Sequence, residues 1–370
     1  MKLKYSLFLI IILIIYPYTV YGQNQTDIDT LIKNANDLQS SEKYDEAITQ
    51  LNLVLEKDSE NTTILDKKGE IRLIQGKYVK ALQNFEKSLD IEPLKINSLN
   101  GKATALYNLD RYDDAIDTYN LVLDQDSQNS RALIGLGNIF VKLEQYDDAI
   151  LYFNLVLEKT PNDITALNSK GQTFLKINQY EDAISIFNQV LKMDLDNIDA
   201  IIGKGMSYFE QQDLKNAETQ FKEAISIQPN NIDALLGVAE IDYDSDKFIK
   251  ALQDYEHVIS IDPDNSKAII GKANSLSKLG RTDDAVWYYD EALEIDPTNV
   301  AVLEQKDNIS KDKVSQSIDL LILLSVASSS ISIFTFALRI KNRKQDKLLV
   351  TRIYNMENKI EQILDKLNKN

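Results

Sequence analysis

The stretch Arg111-Tyr112-Asp113-Asp114-Ala115-Ile116, "RYDDAI", returns as "QYDDAI" at Gln145–Ile150, with near-copies "KYDEAI" from Lys43, "QYEDAI" from Gln179 and "RTDDAV" from Arg281. Its alanine sets a register. Ala47, Ala81, Ala115, Ala149, Ala183, Ala217, Ala251 and Ala285 follow one another at intervals of 34 residues with no insertion. A period of this length held through eight copies belongs to a stack of supersecondary units, each burying its apolar face against its neighbours.

Proline and glycine keep the same beat. Pro93, Pro161, Pro229, Pro263 and Pro297 are separated by multiples of 34, and the sixth proline, Pro17, lies near the N-terminus. Gly69, Gly137, Gly171 and Gly205 share one repeat position, and Gly101, Gly135, Gly203, Gly237 and Gly271 stand two residues before it. Gly76 and Gly280 share a third, in the turn within the unit. In the unit Ser130–Asp163, Leu133, Leu136, Gly137 and Phe140 make one helical apolar face, and Ala149, Ile150, Phe153 and Val156 make a second. Small side chains at Gly137 and Ala149 let the two helices approach closely. Thr160-Pro161-Asn162-Asp163 then ends the second helix and supplies capping groups for the next.

This pattern resembles the tetratricopeptide repeat family: helix-turn-helix units of 34 residues with a large apolar residue, Gly or Ala, an aromatic, Ala, an aromatic, then Pro. The resemblance implies an all-α fold, a right-handed α-solenoid of eight repeats. They run 28–61, 62–95, 96–129, 130–163, 164–197, 198–231, 232–265 and 266–299. Lys170-Gly171 and Lys204-Gly205 resemble a variant common in prokaryotic members, archaeal ones included. Leu214 and Thr282 depart from the aromatic of the turn, and Ser59, Ser127 and Leu195 from the proline. After the last repeat, 300–317 reads as a capping helix and linker, with Val302, Leu303 and Ile309 to cover the final apolar face.

Composition removes several function classes. The 370 residues contain no cysteine, which excludes disulfides and thiolate chemistry, and a single histidine, His257, with no serine elbow near it. The formal charge is −16, from 41 basic and 57 acidic residues. Two of the basic residues precede Gly22, and nine basic with five acidic follow Lys313, so 30 basic face 52 acidic between them. Such a middle repels nucleic acid and favours basic partners.

Adjacent carboxylates invite a metal or acid–base reading. Asp113-Asp114, Asp147-Asp148, Glu181-Asp182 and Asp283-Asp284 nevertheless each fall in the first turn of a second helix, where free N–H groups and the helix dipole favour negative charge by about 0.3–1 kcal/mol. Equivalent residues of a repeat stack lie along a ridge and do not converge. No catalytic, cofactor or metal site is therefore expected, and the expected activity is binding.

By the resemblance, the inner surface made by the first helices holds extended peptides or partner helices. The inward candidates are Asn100, Tyr107, Arg131, Asn138, Asn168, Gln172, Met206, Phe209, Glu240, Tyr243 and Asn274. Asn and Gln can hydrogen-bond a peptide backbone, and Tyr107, Met206, Phe209 and Tyr243 can receive apolar side chains. The basic set that clamps a terminal carboxylate in some relatives is not evident.

The ends read as membrane segments. Residues 1–22 carry Lys2 and Lys4, an apolar run from Leu7 to Ile15, Pro17, and Val20 and Gly22 before a cleavage point: a signal peptide, or an uncleaved anchor. A second apolar run, Leu320 to Leu338, would span roughly 28 Å as a helix within a transmembrane segment expected at 318–338, and Arg339, Lys341, Arg343 and Lys344 follow it. Together these place the repeats outside, periplasm-like or extracellular, and residues 339–370 in the cytoplasm. In that tail Leu349, Ile353, Met356, Ile360, Ile363 and Leu367 make a short coiled-coil seam, a route to homo-oligomers with the span. Two readings follow: a membrane-anchored scaffold for protein or peptide partners, and a transmembrane signalling protein whose tail recruits a partner.

Overall fold

The computed structural model describes residues 27–311 and, beyond them, 319, 322, 323, 325, 326, 354, 355, 358, 359 and 361. The expected signal segment lies outside the described residues, as do the span and the tail apart from those isolated positions. Among the described residues no helix is long and apolar enough to cross a membrane.

To residue 311 the described chain is all helix and turn, in seventeen helices. α1 covers 27–40. There follow α2 Tyr44–Lys57, α3 Thr62–Ile74, α4 Tyr78–Ile91, α5 Ile96–Tyr107, α6 Tyr112–Gln125, α7 Ser130–Lys142, α8 Tyr146–Lys159, α9 Ile164–Lys176 and α10 Tyr180–Leu191. Then come α11 Ile198–Glu210, α12 Leu214–Ile227, α13 Ile232–Asp244, α14 Phe248–Ile261, α15 Ser266–Lys278 and α16 Thr282–Ile295, with α17 at 300–311. The chain forms two compact units, Met1–Gly237 and Val238–Asn370.

In the first unit each odd-numbered helix from α3 to α11 packs on its even-numbered successor, and the odd helices α3, α5, α7, α9 and α11 also touch one another in sequence. From α4 to α12 the packing is set by one aromatic per second helix, where α2 has Leu51. Phe85, Phe153, Phe187 and Phe221 are almost fully buried. Phe187 lies between Gly171 of its own hairpin and Gly203 of the next, so close that a Cβ on Gly171 would stand 2.7 Å from the ring and one on Gly203 closer still. Phe85 sits in the same way between Gly69 and Gly101. The two glycine positions of the repeat are thus the two walls of one aromatic slot, and the ring joins consecutive units into a continuous core. In the 130–163 repeat Leu133, Leu136, Gly137, Ala149, Phe153 and Val156 are buried. Phe140 instead stays half-buried and stacks on Tyr152, with centroids 5.3 Å apart and planes at 7°.

In the second unit α14, α15 and α16 pack in order. Tyr255 faces Gly271, and Tyr289 is buried with Ala285, Ala292, Val302 and Ile309. Val302 and Ile309 of α17 close that cluster, while Leu303 stays 45% exposed.

Local chemistry starts and stops each helix. First helices α3, α7, α9, α11 and α15 are capped by Asn61, Asn129, Asp163, Asn197 and Asn265, each accepting from the backbone N–H three residues on. They end in a left-handed residue whose successor donates back across the turn, as Arg111 N does to Leu106 O at 3.0 Å. That left-handed position is Gly76 and Gly280 in two repeats, but Glu42, Asp110, Glu144, Asn178, Gln212 and Asp246 in the six others, all with φ near +60°. A side chain there costs about 1–2 kcal/mol, partly offset by the larger entropy that glycine loses on folding. Replacing Glu144 or Gln212 with Gly is therefore expected to raise stability by roughly 0.5–1 kcal/mol each, additively, in urea titrations followed by circular dichroism.

Candidate functional site

Several of the acids that open the second helices are engaged within the fold. Asp45 receives Gln75 Nε2 at 3.2 Å and Arg72 Nη1 at 3.0 Å, both from the end of the following first helix, and Lys77 stands 3.5 Å away. The hydrogen bond from Gln75 leads in holding its carboxyl below the ordinary range. Glu181 stands 136 residues on, four repeats, and receives Gln211 Nε2 at 2.7 Å. The second member of the pair closes a local bridge: Arg111 to Asp114 at 2.6 Å and Arg281 to Asp284 at 2.7 Å. Among the described residues no group of three or more His, Asp or Glu is placed to hold a metal ion. What the first-turn dipole does not explain is thus covered by contacts to the next repeat and to the preceding turn.

A second repeated contact joins first helices to each other. Asn168 Nδ2 donates to Asn197 Oδ1 at 3.0 Å, and Asn100 Nδ2 to Asn129 Oδ1 at 3.3 Å. Lys95 and Asp66 occupy the same two positions one repeat earlier as an ion pair at 3.0 Å. Asn197 Oδ1 also accepts from Ala200 N at 3.1 Å, so the group Asn168 turns toward it has to be its NH2. Asn168 Oδ1 is left sealed without a hydrogen-bond partner, as is Asn100 Oδ1. A buried acceptor in that state costs about 1–3 kcal/mol. The repeats on either side place Ile134 and Ile202 at the position of Asn168.

Asn168 forms part of a cleft of about 460 Å³ that runs over α7, α9 and α11. Asn138, Gln172 and Thr165 line it with Ser169, Thr173, Asn197 and Asp199, and Val141 and Ile164 supply apolar wall. Three of the inward candidates, Asn138, Asn168 and Gln172, are therefore brought together. Among the described residues the side chains of Asn138, Gln172 and Asp199 make no hydrogen bond to other groups. Thr165, Ser169, Asn197 and Asp199 escaped the sequence reading, although Asp199 stands one repeat after Thr165 and Asn197 one repeat after the cap Asp163.

The other candidates lie elsewhere. In the first unit Arg131 is exposed, Met206 and Phe209 are half-buried on α11, and Tyr107 packs into the core edge against Tyr112 with centroids 6.0 Å apart. Asn100 is 2% exposed and tied to Asn129, so its amide does not front a groove. In the second unit Glu240 is half-buried and engaged, and Tyr243 meets Phe248 edge-on at 5.4 Å. Asn274 accepts from Tyr289 Oη at 2.6 Å, a bond that supports a buried ring. For Asn100 and Asn274 the inward expectation is thus replaced by contacts inside the fold, because residues 15 and 29 positions away come to meet them.

The second unit also buries a charge. Asp242, 1% exposed, holds Lys247 Nζ at 3.2 Å and Lys250 Nζ. It replaces the aromatic or leucine that other repeats carry there, such as Phe140, Phe174 and Leu276, and Lys250 replaces the second acid of the first turn. Burial works to raise the Asp242 carboxyl, but the two ammonium groups outweigh it and hold it low. Asp254 beside it is pushed up, first by burial and then by the hydrogen bond it makes to Asp242 only when protonated.

The comparisons agree with this geometry. Residues 100–164 and 266–299 match tetratricopeptide repeat models, and 142–224 match the model of anaphase-promoting complex, cyclosome, subunit 3. No curated protein matches the chain. Among solved structures, a tetratricopeptide repeat protein from Parabacteroides merdae ATCC 43184 is 17% identical with a TM-score of 0.56, covering 67% of this chain and 98% of its own. Yeast Tom70 is 19% identical with a TM-score of 0.58 over 79% of this chain, and the APC/C hetero-tetramer Cut9–Hcn1 is 14% identical with 0.59 over 76%. This chain spans 65% of the Tom70 chain and 55% of the Cut9–Hcn1 chain, less than two thirds of either. At these identities the likeness is one of fold.

Two outcomes are expected. Asn168→Ile removes the sealed acceptor and restores the side chain of the flanking repeats, so stability should rise by about 1 kcal/mol in urea denaturation. Asp254 has a raised folded value, so its stabilising contribution is complete below the unfolded pKa of about 3.9 and is lost as pH rises through the folded one. Asp254→Asn should therefore melt above the unmodified protein at pH 8, with the two curves converging toward pH 4.

Proposed function

From an array built of tetratricopeptide repeats, we propose a non-catalytic scaffold anchored in a membrane, whose repeats hold protein or peptide partners on the outer face. The observation that carries the binding reading is the cleft over α7, α9 and α11. It keeps Asn168 in its floor at a stability cost where the neighbouring repeats place isoleucine, and it lines its walls with amides that have no partner in the fold. Polar groups retained against stability mark functional surfaces. A peptide backbone, with one donor and one acceptor per residue, is the complement of such a lining. One fold neighbour, Cut9–Hcn1, is itself part of a hetero-tetramer, which agrees with a role in protein assemblies.

The anchoring rests on the sequence: the Lys2 and Lys4 leader, the apolar run at 318–338 and the basic residues behind it. A signalling role would require the tail seam from Leu349 to Leu367 as well. Protease added to intact cells should digest 28–299 and leave an intact fragment containing 339–370; protection of the repeats would refute the outer placement. Crosslinking in native membranes should join partners to the repeats, and deletion of 349–370 should leave those crosslinks in place if the protein is a scaffold.

A further inference from the structure

The lining of the α7–α9–α11 cleft has a sign. Of the ten residues that form it, one is charged, and it is acidic: Asp199, in the first turn of α11. No lysine or arginine is among them. The remainder are amides, hydroxyls and apolar side chains, and between Gly22 and Lys313 the chain carries 30 basic against 52 acidic residues. A terminal carboxylate or a phosphate would meet no cation in this cleft and one anion. A bound segment is therefore internal and is not acidic.

The length of that segment follows from the helices. Packed helix axes stand about 8–10 Å apart, so the path from α7 across α9 to α11 measures roughly 16–20 Å. An extended chain advances about 3.3 Å per residue, which makes about five or six residues. Asn138 and Gln172 offer both donors and acceptors to the backbone of such a segment, and neither is engaged within the fold. Asp199 at the α11 end, exposed and without a cation of its own, accepts the remaining group.

We infer that this cleft takes an internal, extended polypeptide segment of about six residues that places a Lys or Arg side chain on Asp199. The inference rests on the reading of the cleft as the partner site and adds the chemistry of the partner. Complementary charge at an exposed contact contributes a few-fold in selectivity and speeds encounter with a basic segment.

The test is a selection of random octapeptides, displayed in the interior of an unstructured linker so that neither terminus is free, on the detergent-solubilised full-length protein. Two variants accompany it: Asp199→Asn, which removes the charge, and Asn138→Trp, which fills the cleft without changing charge. Enriched peptides are expected to carry Lys or Arg at one position, to lose at least threefold in affinity on Asp199→Asn, and to lose binding on Asn138→Trp. Raised salt should weaken binding to the unmodified protein and leave Asp199→Asn nearly unaffected. Enrichment of neutral or acidic peptides that Asn138→Trp abolishes and Asp199→Asn spares would overturn the basic-segment inference and leave the cleft reading standing. Peptides indifferent to both variants, or no enrichment at all, would overturn both.

Discussion

The repeats of the first unit depend on how a large side chain of each second helix is seated: Phe85, Phe187 and Phe221 each enter a slot between two glycines, Tyr119 and Phe153 each meet one, and Leu51 takes the place of the ring in the first repeat. In the first unit Phe187 between Gly171 and Gly203 shows why. A Cβ on Gly171 or Gly203 would stand under 3 Å from that ring, so the ring would have to shift, and with it the packing of α9 against α11 and the cleft that spans them. The period of 34 follows from this constraint, since an insertion in either helix would rotate the ring or the glycine out of register by 100° per residue.

Polar chemistry is layered on that frame in the same period. First-turn acids meet the ends of the following first helices, as Asp45 meets Arg72 and Gln75, and lysines one position after Gly271 and Gly101 reach acids on the preceding second helix, Lys272 to Glu256 at 2.9 Å and Lys102 to Glu86 at 4.0 Å. Exposed contacts of this kind add little individually. Their effect is to give adjacent repeats a common geometry in an acidic chain. The informative positions are those that break the rule. Asn168 is polar between two isoleucines, and Asp242 with Lys250 exchanges the usual aromatic and acid for a buried ion pair. One departure lies in a cleft with unpartnered amides, and the other is satisfied internally.

Much of this was legible from residues alone. The alanine interval, the two glycine positions and the capping stretch that ends at Asp163 all derive from periodicity and local propensity, which depend on neighbours within a few residues. Asn274 was misread because its destination is set by Tyr289, fifteen residues away, whose hydroxyl reaches back across a hairpin. Asn100 makes to Asn129 the bond that Asn168 makes to Asn197, but it is buried where Asn168 is half-buried and reaches the cleft. Asp199 was passed over because an acid in a first turn already has a local explanation in the helix dipole; its place in the lining depends on how α11 sits against α9.

The sequence by itself determined the period, the exclusion of cysteine chemistry, and the sign of the charge in the repeats. These are properties of composition and of interactions within one turn or one unit, and they survive translation from repeat to repeat. Tertiary structure alone decided which of several equivalent polar side chains stay unpartnered. A hydrogen bond forms or fails over a few tenths of an ångström and a few tens of degrees, and those are fixed only when one repeat is packed against the next.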